Sequence, residues 1–248
     1  MNAHFSPNGR RISTAAAGVV QIWDAETGNP IGAPISHQGN ARYARFSPDS
    51  QRIVIPLMDA TRLPLYAQMW NAETGAPVGP RLPHLDGVID AAFSPNGLRV
   101  VTASEDNSAM IWDTASGKRL TPPLRHTSYV SQAKFSPDSL LVLTFSRDGT
   151  ARVWEAATGE PVTPPLQHDG AIRFGVWSPN GNEVLTCSED GTARAWDISP
   201  TTESVQELIR RAEILSAHRL EANIGMVPLT TAEMKERWES LRQKFTPR

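Results

Sequence analysis

Short apolar runs alternate with polar turn sequences along most of the chain, a pattern that predicts β-strands. The run at 140–145 is apolar at nearly every position, so both faces of that strand are expected to be buried. Before such runs, Ser-Pro-Asn-Gly or Ser-Pro-Asp-Ser predicts a hairpin turn, and after them Asp148-Gly149 and Asp190-Gly191 predict tight turns. The proline-rich segment 161–166 predicts an edge strand, because proline cannot donate a ladder hydrogen bond.

These elements recur at a fixed spacing. Three anchor residues mark the repeat: Phe or Trp before Ser-Pro (Phe5, Phe46, Phe93, Phe135, Trp177), a second Trp (Trp23, Trp70, Trp112, Trp154, Trp196), and His (His37, His84, His126, His168). Each of these Trp residues except the last lies 14 residues before a His, and each His lies 9 residues before the next Phe or Trp. The sequence therefore contains five copies of one unit of about 42 residues.

Each unit predicts three inner strands and one edge strand, which is a four-stranded propeller blade. The expected fold is an all-β propeller of about five blades, incomplete as a ring, with a short helical tail at the C-terminus. We place the propeller at residues 1–201 and the tail at 202–248.

The pattern His-x8-Phe-Ser-Pro-Asp, followed by Thr-x-Ser-x-Asp-Gly-Thr-x-x-x-Trp-Asp, resembles the WD-repeat β-propeller family over about residues 3–198. The resemblance implies that a His, a Thr, an Asp and the Trp form a hydrogen-bonded structural set within a blade. Three sets follow: His84, Thr102, Asp106 and Trp112; His126, Thr144, Asp148 and Trp154; His168, Thr186, Asp190 and Trp196.

The first two copies depart from this pattern. The first has no Asp in the turn at 15–18, and the second has Ile55 where Thr belongs and a five-residue insertion within 57–68. We expect these two blades to be held less firmly. The chain also opens inside an inner strand, so we expect further blades upstream; a five-bladed ring and a dimeric ring are the alternatives.

The tail has an apolar helical stripe at Val205, Leu208, Ile209, Ala212 and Leu215. Thr230 and Glu233 form a capping-box signal, and a second stripe runs through Met234, Trp238, Leu241 and Phe245. The favoured interpretation is two helices packed on the rim of the propeller, and the alternative is a docking element for another domain or partner. The tail bears a weak resemblance to the helical tails of bacterial WD-repeat proteins, some of which carry an N-terminal kinase or other signalling domain.

Charge and composition exclude several classes. The 24 Lys and Arg against 26 Asp and Glu give a formal charge of −2, which argues against nucleic acid or a membrane surface as partner. Cys187 is the sole cysteine, so an intramolecular disulfide and a cysteine zinc cage are excluded. Without a signal peptide or a membrane-spanning segment in the sequence, cytoplasmic localisation is the default expectation.

The recurring His, Asp and hydroxyl residues superficially suggest a hydrolase triad, for example His84, Ser104 and Asp106. A catalytic set occurs once, whereas this set recurs in successive blades, so we interpret it as structural. No nucleophile elbow, phosphate loop or His-Glu-x-x-His motif is present, and we predict no catalytic, cofactor or metal site.

The predicted function is a non-enzymatic scaffold that binds a protein or peptide on the rim formed by the loops after each conserved His. Arg42, Tyr129 and Arg173 follow such a His by three or five residues and belong to types enriched at binding hot spots, so they are the candidate partner-binding residues. The alternative is the sensor or regulatory part of a larger signalling enzyme, a kinase or NTPase, with its catalytic domain upstream. Missing N-terminal blades of the same chain are a further possible partner.

Overall fold

A computed structural model describes residues 2–16, 18–37, 41, 43–57, 65–200, 213, 217–221 and 225–236. The chain divides into two compact units, Met1–Ser199 and Pro200–Arg248. The first unit is all-β, as the sequence predicts.

Five antiparallel sheets, here called blades 1 to 5, follow one another along the first unit. Blade 1 comprises β1 (Asn2–Phe5), β2 (Arg11–Ala16), β3 (Val19–Asp24) and β4 (Pro30–Ser36); blade 2 comprises β5 (Arg45–Phe46), β6 (Arg52–Pro56), β7 (Tyr66–Asn71) and β8 (Pro77–Pro83). Blade 3 comprises β9 (Val88–Phe93), β10 (Arg99–Ser104), β11 (Ser108–Asp113) and β12 (Leu124–Arg125); blade 4 comprises β13 (Val130–Phe135), β14 (Leu141–Ser146), β15 (Thr150–Glu155) and β16 (Leu166–Gln167). Among the described residues blade 5 has three strands, β17 (Ile172–Trp177), β18 (Glu183–Ser188) and β19 (Ala193–Asp197).

The strands of every blade pair in chain order, so the first strand forms one edge of the sheet and the last strand the other. In blades 1 and 2 the proline-rich strands β4 and β8 form the last edge, where the missing proline N–H groups are tolerated. In blade 4 the predicted edge strand at 161–166 is wrong in extent: the last strand is β16 at Leu166–Gln167, and Pro161 forms only an isolated bridge with Trp154.

The turns between the first and second strands also link neighbouring blades. Gly97 adopts a left-handed φ of 72° in the turn of blade 3, and Ser139 has a φ of 66° at the equivalent position of blade 4. A left-handed conformation is unfavourable for serine, but the Ser139 hydroxyl accepts a hydrogen bond of 3.2 Å from the backbone N–H of Asn96 in blade 3. Ser50 of blade 2 accepts an equivalent bond of 3.3 Å from Asn8 of blade 1.

Consecutive blades pack through two kinds of apolar face. The forward face of a blade comprises residues on its second, third and fourth strands, such as Val101 and Ile111 of blade 3. The rear face of the next blade comprises residues on its first and second strands together with its conserved Trp, as with Phe135, Val142 and Trp154 of blade 4. The same arrangement buries a core at each of the other three junctions between consecutive blades.

The series of blades is open among the described residues. Among the described residues, no strand ladder joins blade 1 to blade 5. On the rear face of blade 1, Phe5 is 68% exposed, whereas the equivalent Phe135 is 8% exposed. The described residues of the first unit therefore form five consecutive blades of a propeller.

The second unit contains a β-hairpin and the start of a helix. Strands β20 (His218–Glu221) and β21 (Gly225–Pro228) pair in register, and helix α1 follows over 231–236. The helical tail predicted over 202–248 is therefore wrong at β20 and β21, where Gly225 and Pro228 both disfavour a continuous helix.

The capping box that the sequence predicts is present at the start of α1. Thr230 N–H donates to the Glu233 carboxylate at 2.8 Å, and Glu233 N–H donates to the Thr230 hydroxyl at 3.3 Å. The stripe at 205–215 and the later part of the stripe at 238–245 lie outside the described residues.

Candidate functional site

The structure brings the four side chains of each implied set into one hydrogen-bonded chain. In blade 3, His84 Nδ1 lies 2.9 Å from Asp106, and His84 Nε2 lies 2.7 Å from the hydroxyl of Thr102. The indole N–H of Trp112 donates to the same hydroxyl at 2.8 Å. All partners are satisfied when His84 donates from Nδ1 to Asp106 and Thr102 donates to Nε2, so we assign the imidazole that tautomer.

Blades 4 and 5 repeat this geometry. In blade 4, His126 Nε2 lies 2.8 Å from Thr144, and His126 Nδ1 lies 3.1 Å from Asp148; in blade 5, His168 Nε2 lies 2.8 Å from Thr186, and His168 Nδ1 lies 2.9 Å from Asp190. Trp154 and Trp196 donate to the two Thr hydroxyls at 2.8 Å. Both ring nitrogens of each His are therefore occupied within its own blade.

The hydrogen bonds keep the Asp carboxylates ionised. Burial alone would raise the pKa of Asp106, but hydrogen bonds from His84 and Ser108 oppose it and lower the pKa to about 2. Burial likewise acts to raise the pKa of Asp148, and hydrogen bonds from His126 and Thr150 dominate and lower it.

For Asp190 the leading cause is the hydrogen bond from the Thr192 hydroxyl, which lowers the pKa. Each carboxylate is thus held in the form that accepts hydrogen bonds from the turn around it.

Each set also fixes the loop that follows its His. The Asp carboxylate accepts a backbone N–H from the residue after the His, at 3.1 Å for Leu85, 2.9 Å for Thr127 and 3.2 Å for Asp169. The loops that carry Tyr129 and Arg173 therefore start from an anchored backbone.

Blades 1 and 2 lack complete sets. In blade 1, Trp23 donates to the Thr14 hydroxyl at 2.8 Å. In blade 2, the Thr position is the buried Ile55, and the buried Trp70 indole N–H finds no acceptor among the described residues. These blades therefore have fewer internal side-chain hydrogen bonds than blades 3 to 5, and they are the two blades that the sequence predicts to be held less firmly.

Two of the candidate partner-binding residues line one pocket. Tyr129 and Arg173 share a pocket of about 330 Å³ with Tyr43, Glu105, Gln132 and Arg147, which come from blades 2 to 4. Arg42, the remaining candidate, lies outside the described residues.

Sequence reasoning missed Glu105 and Arg147. Both occupy the variable position of an otherwise constant Ser-x-Asp turn, at Ser104–Asp106 and Ser146–Asp148. Because the flanking Ser and Asp fix the turn, that middle side chain points away from the set. The charge at this middle position changes from one copy of the repeat to the next, and that change is the sequence signal that could have indicated these two residues.

Charge is distributed unevenly around the pocket. Arg173 donates from Nε to Glu189 at 2.6 Å, so its charge is paired. Arg147 places its guanidinium 5.8 Å from the centre of the Tyr129 ring. In the described part of the chain, neither Arg147 nor Glu105 forms an ion pair, and Tyr129 is 42% exposed.

A polar network between the first strands of neighbouring blades supports one wall of the pocket. The Tyr43 hydroxyl donates to the backbone carbonyl of Ile89 at 2.9 Å and to the Asp90 carboxylate. Asp90 is fully buried, and its charge is balanced by Arg45 at 3.1 Å. A buried charge with a partner and hydrogen bonds is tolerated, and here it fixes the Tyr43 side chain.

Lys134 lies in the first strand of blade 4 at the position that Arg45 occupies in blade 2. Its ammonium donates to the Gly175 carbonyl at 2.8 Å and lies 4.3 Å from the centre of the Phe174 ring. Burial, followed by the nearby charge of Arg45, lowers the pKa of Lys134. Its bond to the carbonyl joins blade 4 to blade 5.

Neither a metal cluster nor a membrane span is found where the structure describes the chain. No group of three or more His, Cys, Asp or Glu side chains could hold a metal ion in those residues. None of the helical segments described is long and apolar enough to cross a membrane.

The family comparison also separates blades 3 to 5 from blades 1 and 2. The family model described as WD domain, G-beta repeat matches residues 79–113, 118–155 and 159–197, which contain the Trp of blades 3, 4 and 5. Among solved structures, the chain is similar to the computationally designed Ika8 protein, with 26% identity and a TM-score of 0.69. That alignment covers 79% of this chain and 57% of the designed chain, so this chain spans little more than half of that structure.

The comparison with curated proteins gives no match. The family model and the structural similarity agree with the repeat spacing and with the five consecutive sheets. The chain therefore carries WD40 repeats at three positions, 79–113, 118–155 and 159–197, and its fold is similar to that of a designed protein.

Proposed function

We propose that this protein is a non-catalytic scaffold that binds a peptide segment of a protein partner in the pocket lined by Tyr129, Arg147 and Arg173. WD40 domains typically bind proteins and are generally not enzymes. The pocket lies beside the loops after the conserved His residues, where the sequence places the partner-binding face.

The observation that carries the proposal is the pair of unpaired charges in the pocket. Arg147 and Glu105 have opposite charge, and each lacks an ion-pair partner among the described residues. Arg147 lies near the exposed ring of Tyr129, so a ligand carboxylate bound there would meet a cation and an apolar surface together. Arginine and tyrosine frequently dominate the binding energy of protein interfaces.

The rigidity of the surrounding backbone also favours binding. Asp148 holds the backbone of Thr127, and the Asp106 carboxylate accepts backbone N–H bonds from Leu85 in the loop after His84 and from Ser108 in its own turn. A preorganised site loses less conformational entropy when a peptide binds. The expected ligand is a peptide with an acidic side chain or a terminal carboxylate for Arg147, and a basic group that reaches Glu105.

Catalysis by the His residues has little support in this geometry. The two ring nitrogens of His84 are engaged with Thr102 and Asp106, so neither is available to deprotonate a nucleophile. The nearby Ser104 hydroxyl donates to the backbone carbonyl of Asp86 at 3.1 Å instead.

The test is selection of peptides from a random displayed library on the chain of residues 1–248, followed by fluorescence anisotropy with the selected peptide. We expect enrichment of acidic peptides, and we expect Arg147→Ala and Tyr129→Ala each to weaken binding by about tenfold or more. Raising the salt concentration should weaken binding as well, because the pocket charges are exposed.

The matched control is the double variant Arg99→Ala and Asn182→Ala; Arg99 begins β10 and Asn182 immediately precedes β18, both at the opposite ends of the strands from the pocket. It should bind the selected peptide as the unmodified chain does. If the affinity of the selected peptide depends on the control residues and does not change in the Arg147 and Tyr129 variants, the binding face lies at the opposite ends of the strands and the proposal is wrong.

A further inference from the structure

The first strands of blades 3, 4 and 5 each contain a β-bulge at the same place. In blade 5 the pairing between the first and second strands skips Arg173, which lies between two paired residues. The pairing skips Ile89 in blade 3 and Ser131 in blade 4 in the same way. A bulge changes the direction of the side chain of its extra residue, and all three bulge residues line the candidate pocket.

The middle residue of each Ser-x-Asp turn lies beside one of these bulges. In blade 5 the backbone N–H of Glu189 donates to the carbonyl of Ala171, two residues before Arg173, at 2.9 Å. Equivalent bonds of 2.9 Å and 3.0 Å hold the backbone of Glu105 in blade 3 and of Arg147 in blade 4. The fold therefore places a variable turn residue near each bulge residue, and the types of these two residues decide whether charges pair there.

Of blades 3 to 5, blade 5 alone has opposite charges at these two positions. Arg173 donates from Nε to Glu189 at 2.6 Å and from Nη2 to the same carboxylate oxygen. In blade 4 the bulge residue is Ser131, and in blade 3 it is Ile89, so neither blade has an ion pair at these positions.

Glu189 leaves the pocket with one uncompensated cation among the described residues. Arg147 and Arg173 both line the pocket, but Glu189 balances the charge of Arg173, and Glu105 adds a further negative charge. A ligand carboxylate needs one cation, which Arg147 supplies. A phosphate group carries about −1.5 to −2 charges at neutral pH and is best held by a cluster of arginines, so it would meet one available guanidinium and two carboxylates.

The pair of Arg173 and Glu189 matters through its charge more than through its contribution to folding. Both side chains are about half exposed, and an exposed ion pair contributes little to stability. The turn itself is held by other bonds, for example from the Ser188 hydroxyl to the Gly170 carbonyl at 2.9 Å. Replacing Glu189 by glutamine therefore preserves the turn, keeps an oxygen acceptor for Arg173 and removes the negative charge.

We infer that Glu189 is a specificity-determining residue of the pocket, which selects ligands with a singly charged carboxylate and rejects phosphorylated ligands. The inference rests on the proposed function, because it concerns the same pocket. Glu189 acts by neutralising Arg173 and by repelling a second negative charge on the ligand. Specificity of this kind comes from the ligand that is disfavoured as well as from the one that is bound.

The experiment compares three pools of fluorescently labelled degenerate peptides that differ in one fixed central residue: glutamate, phosphoserine or glutamine. Fluorescence anisotropy measures the affinity of each pool for the 1–248 chain. For the unmodified chain we expect the glutamate pool to bind most tightly. In Glu189→Gln the affinity for the phosphoserine pool should rise by about fivefold and that for the glutamate pool by about twofold, so that phosphoserine becomes the preferred residue.

Two further variants test how Glu189 acts. Glu183→Gln is the matched control, because it removes a carboxylate of the same blade at the other end of β18 and should leave the three affinities unchanged. Combining Glu189→Gln with Arg173→Gln should remove the gain in affinity for phosphoserine, since that gain requires the released guanidinium. Circular dichroism establishes that each variant is folded.

The outcomes separate this inference from the proposed function. If the unmodified chain prefers the glutamate pool to the glutamine pool and Glu189→Gln keeps the same order of affinities, the inference is wrong and the peptide pocket stands. A phosphoserine pool that already binds the unmodified chain most tightly, or an equal gain in Glu183→Gln, also overturns the inference. If the unmodified chain does not distinguish the three pools, the inference and the proposed function are both wrong.

Discussion

Blade 4 and blade 2 have the same strand order and similar ladders, yet their interiors are satisfied in different ways. In blade 4 the Thr144 hydroxyl joins His126 to Trp154, and all three side chains are buried. In blade 2 that position is Ile55, and the Trp70 indole N–H has no acceptor among the described residues.

The comparison indicates that the blade fold does not depend on the hydrogen-bonded set. Blade 2 keeps its sheet because apolar residues on both of its faces are buried against blades 1 and 3. The set contributes a local function instead, since its Asp holds the loop beside the candidate pocket. Blades with a complete set are expected to have stiffer loops than blades without one.

The largest expected effect comes from removing the central hydroxyl of a complete set. Thr144→Val keeps the size of the side chain but leaves the buried Trp154 N–H and His126 Nε2 without their shared partner. We expect a loss of about 2–4 kcal/mol in the free energy of unfolding, measured by urea unfolding.

The matched variant is Thr14→Val in blade 1, where the hydroxyl serves only the partly exposed Trp23. We expect it to lose about 1 kcal/mol or less. Equal losses in the two variants would mean that completeness of the set does not matter.

A pH dependence of intermediate size follows from Asp106. Its pKa in the folded protein is about 2, against 3.8 for the ordinary carboxyl, so protonation opposes folding. The stabilisation is fully present above about pH 4 and is lost as the pH falls through about 2. We expect the contribution to the free energy of unfolding to be about 1–2 kcal/mol.

Asp106→Asn removes this titration and tests the assignment. The difference in unfolding free energy between this variant and the unmodified chain should shrink as the pH is lowered from 5 towards about 2. Asp169→Asn, at an exposed carboxylate, should follow the unmodified chain throughout. A difference independent of pH for Asp106→Asn would contradict the linkage.

Much of the fold could be predicted from spacing alone, because the repeat constrains every blade in the same way. The positions of Phe135, Trp154 and His126 within the unit fix the order of strands and which residues face the interior. The hairpin in the second unit could not be predicted in this way, since that segment has no repeat and its strands have four residues each.

The candidate pocket was only partly accessible to sequence reasoning. Tyr129 and Arg173 could be named because they lie at a fixed distance from an anchored His. Tyr43, Glu105 and Arg147 belong to three different blades, and they line one pocket because blades 2, 3 and 4 pack side by side. A pocket formed by several blades leaves no spacing signal in any one copy of the repeat.

The smallest expected effect comes from rebuilding the missing hydroxyl in blade 2. Ile55→Thr loses buried apolar surface but provides an acceptor for the Trp70 N–H, so we expect a change of about 1 kcal/mol or less. Val54→Thr, the control on the neighbouring buried position, buries a hydroxyl on the forward face and should lose about 1–3 kcal/mol.

Hydrogen exchange of the Trp70 indole, followed by NMR, should slow in Ile55→Thr and remain unchanged in Val54→Thr. If Ile55→Thr destabilises as much as Val54→Thr and leaves the exchange rate unaltered, the Trp70 indole is not where a complete set would place it, and the equivalence between blade 2 and blade 4 is wrong.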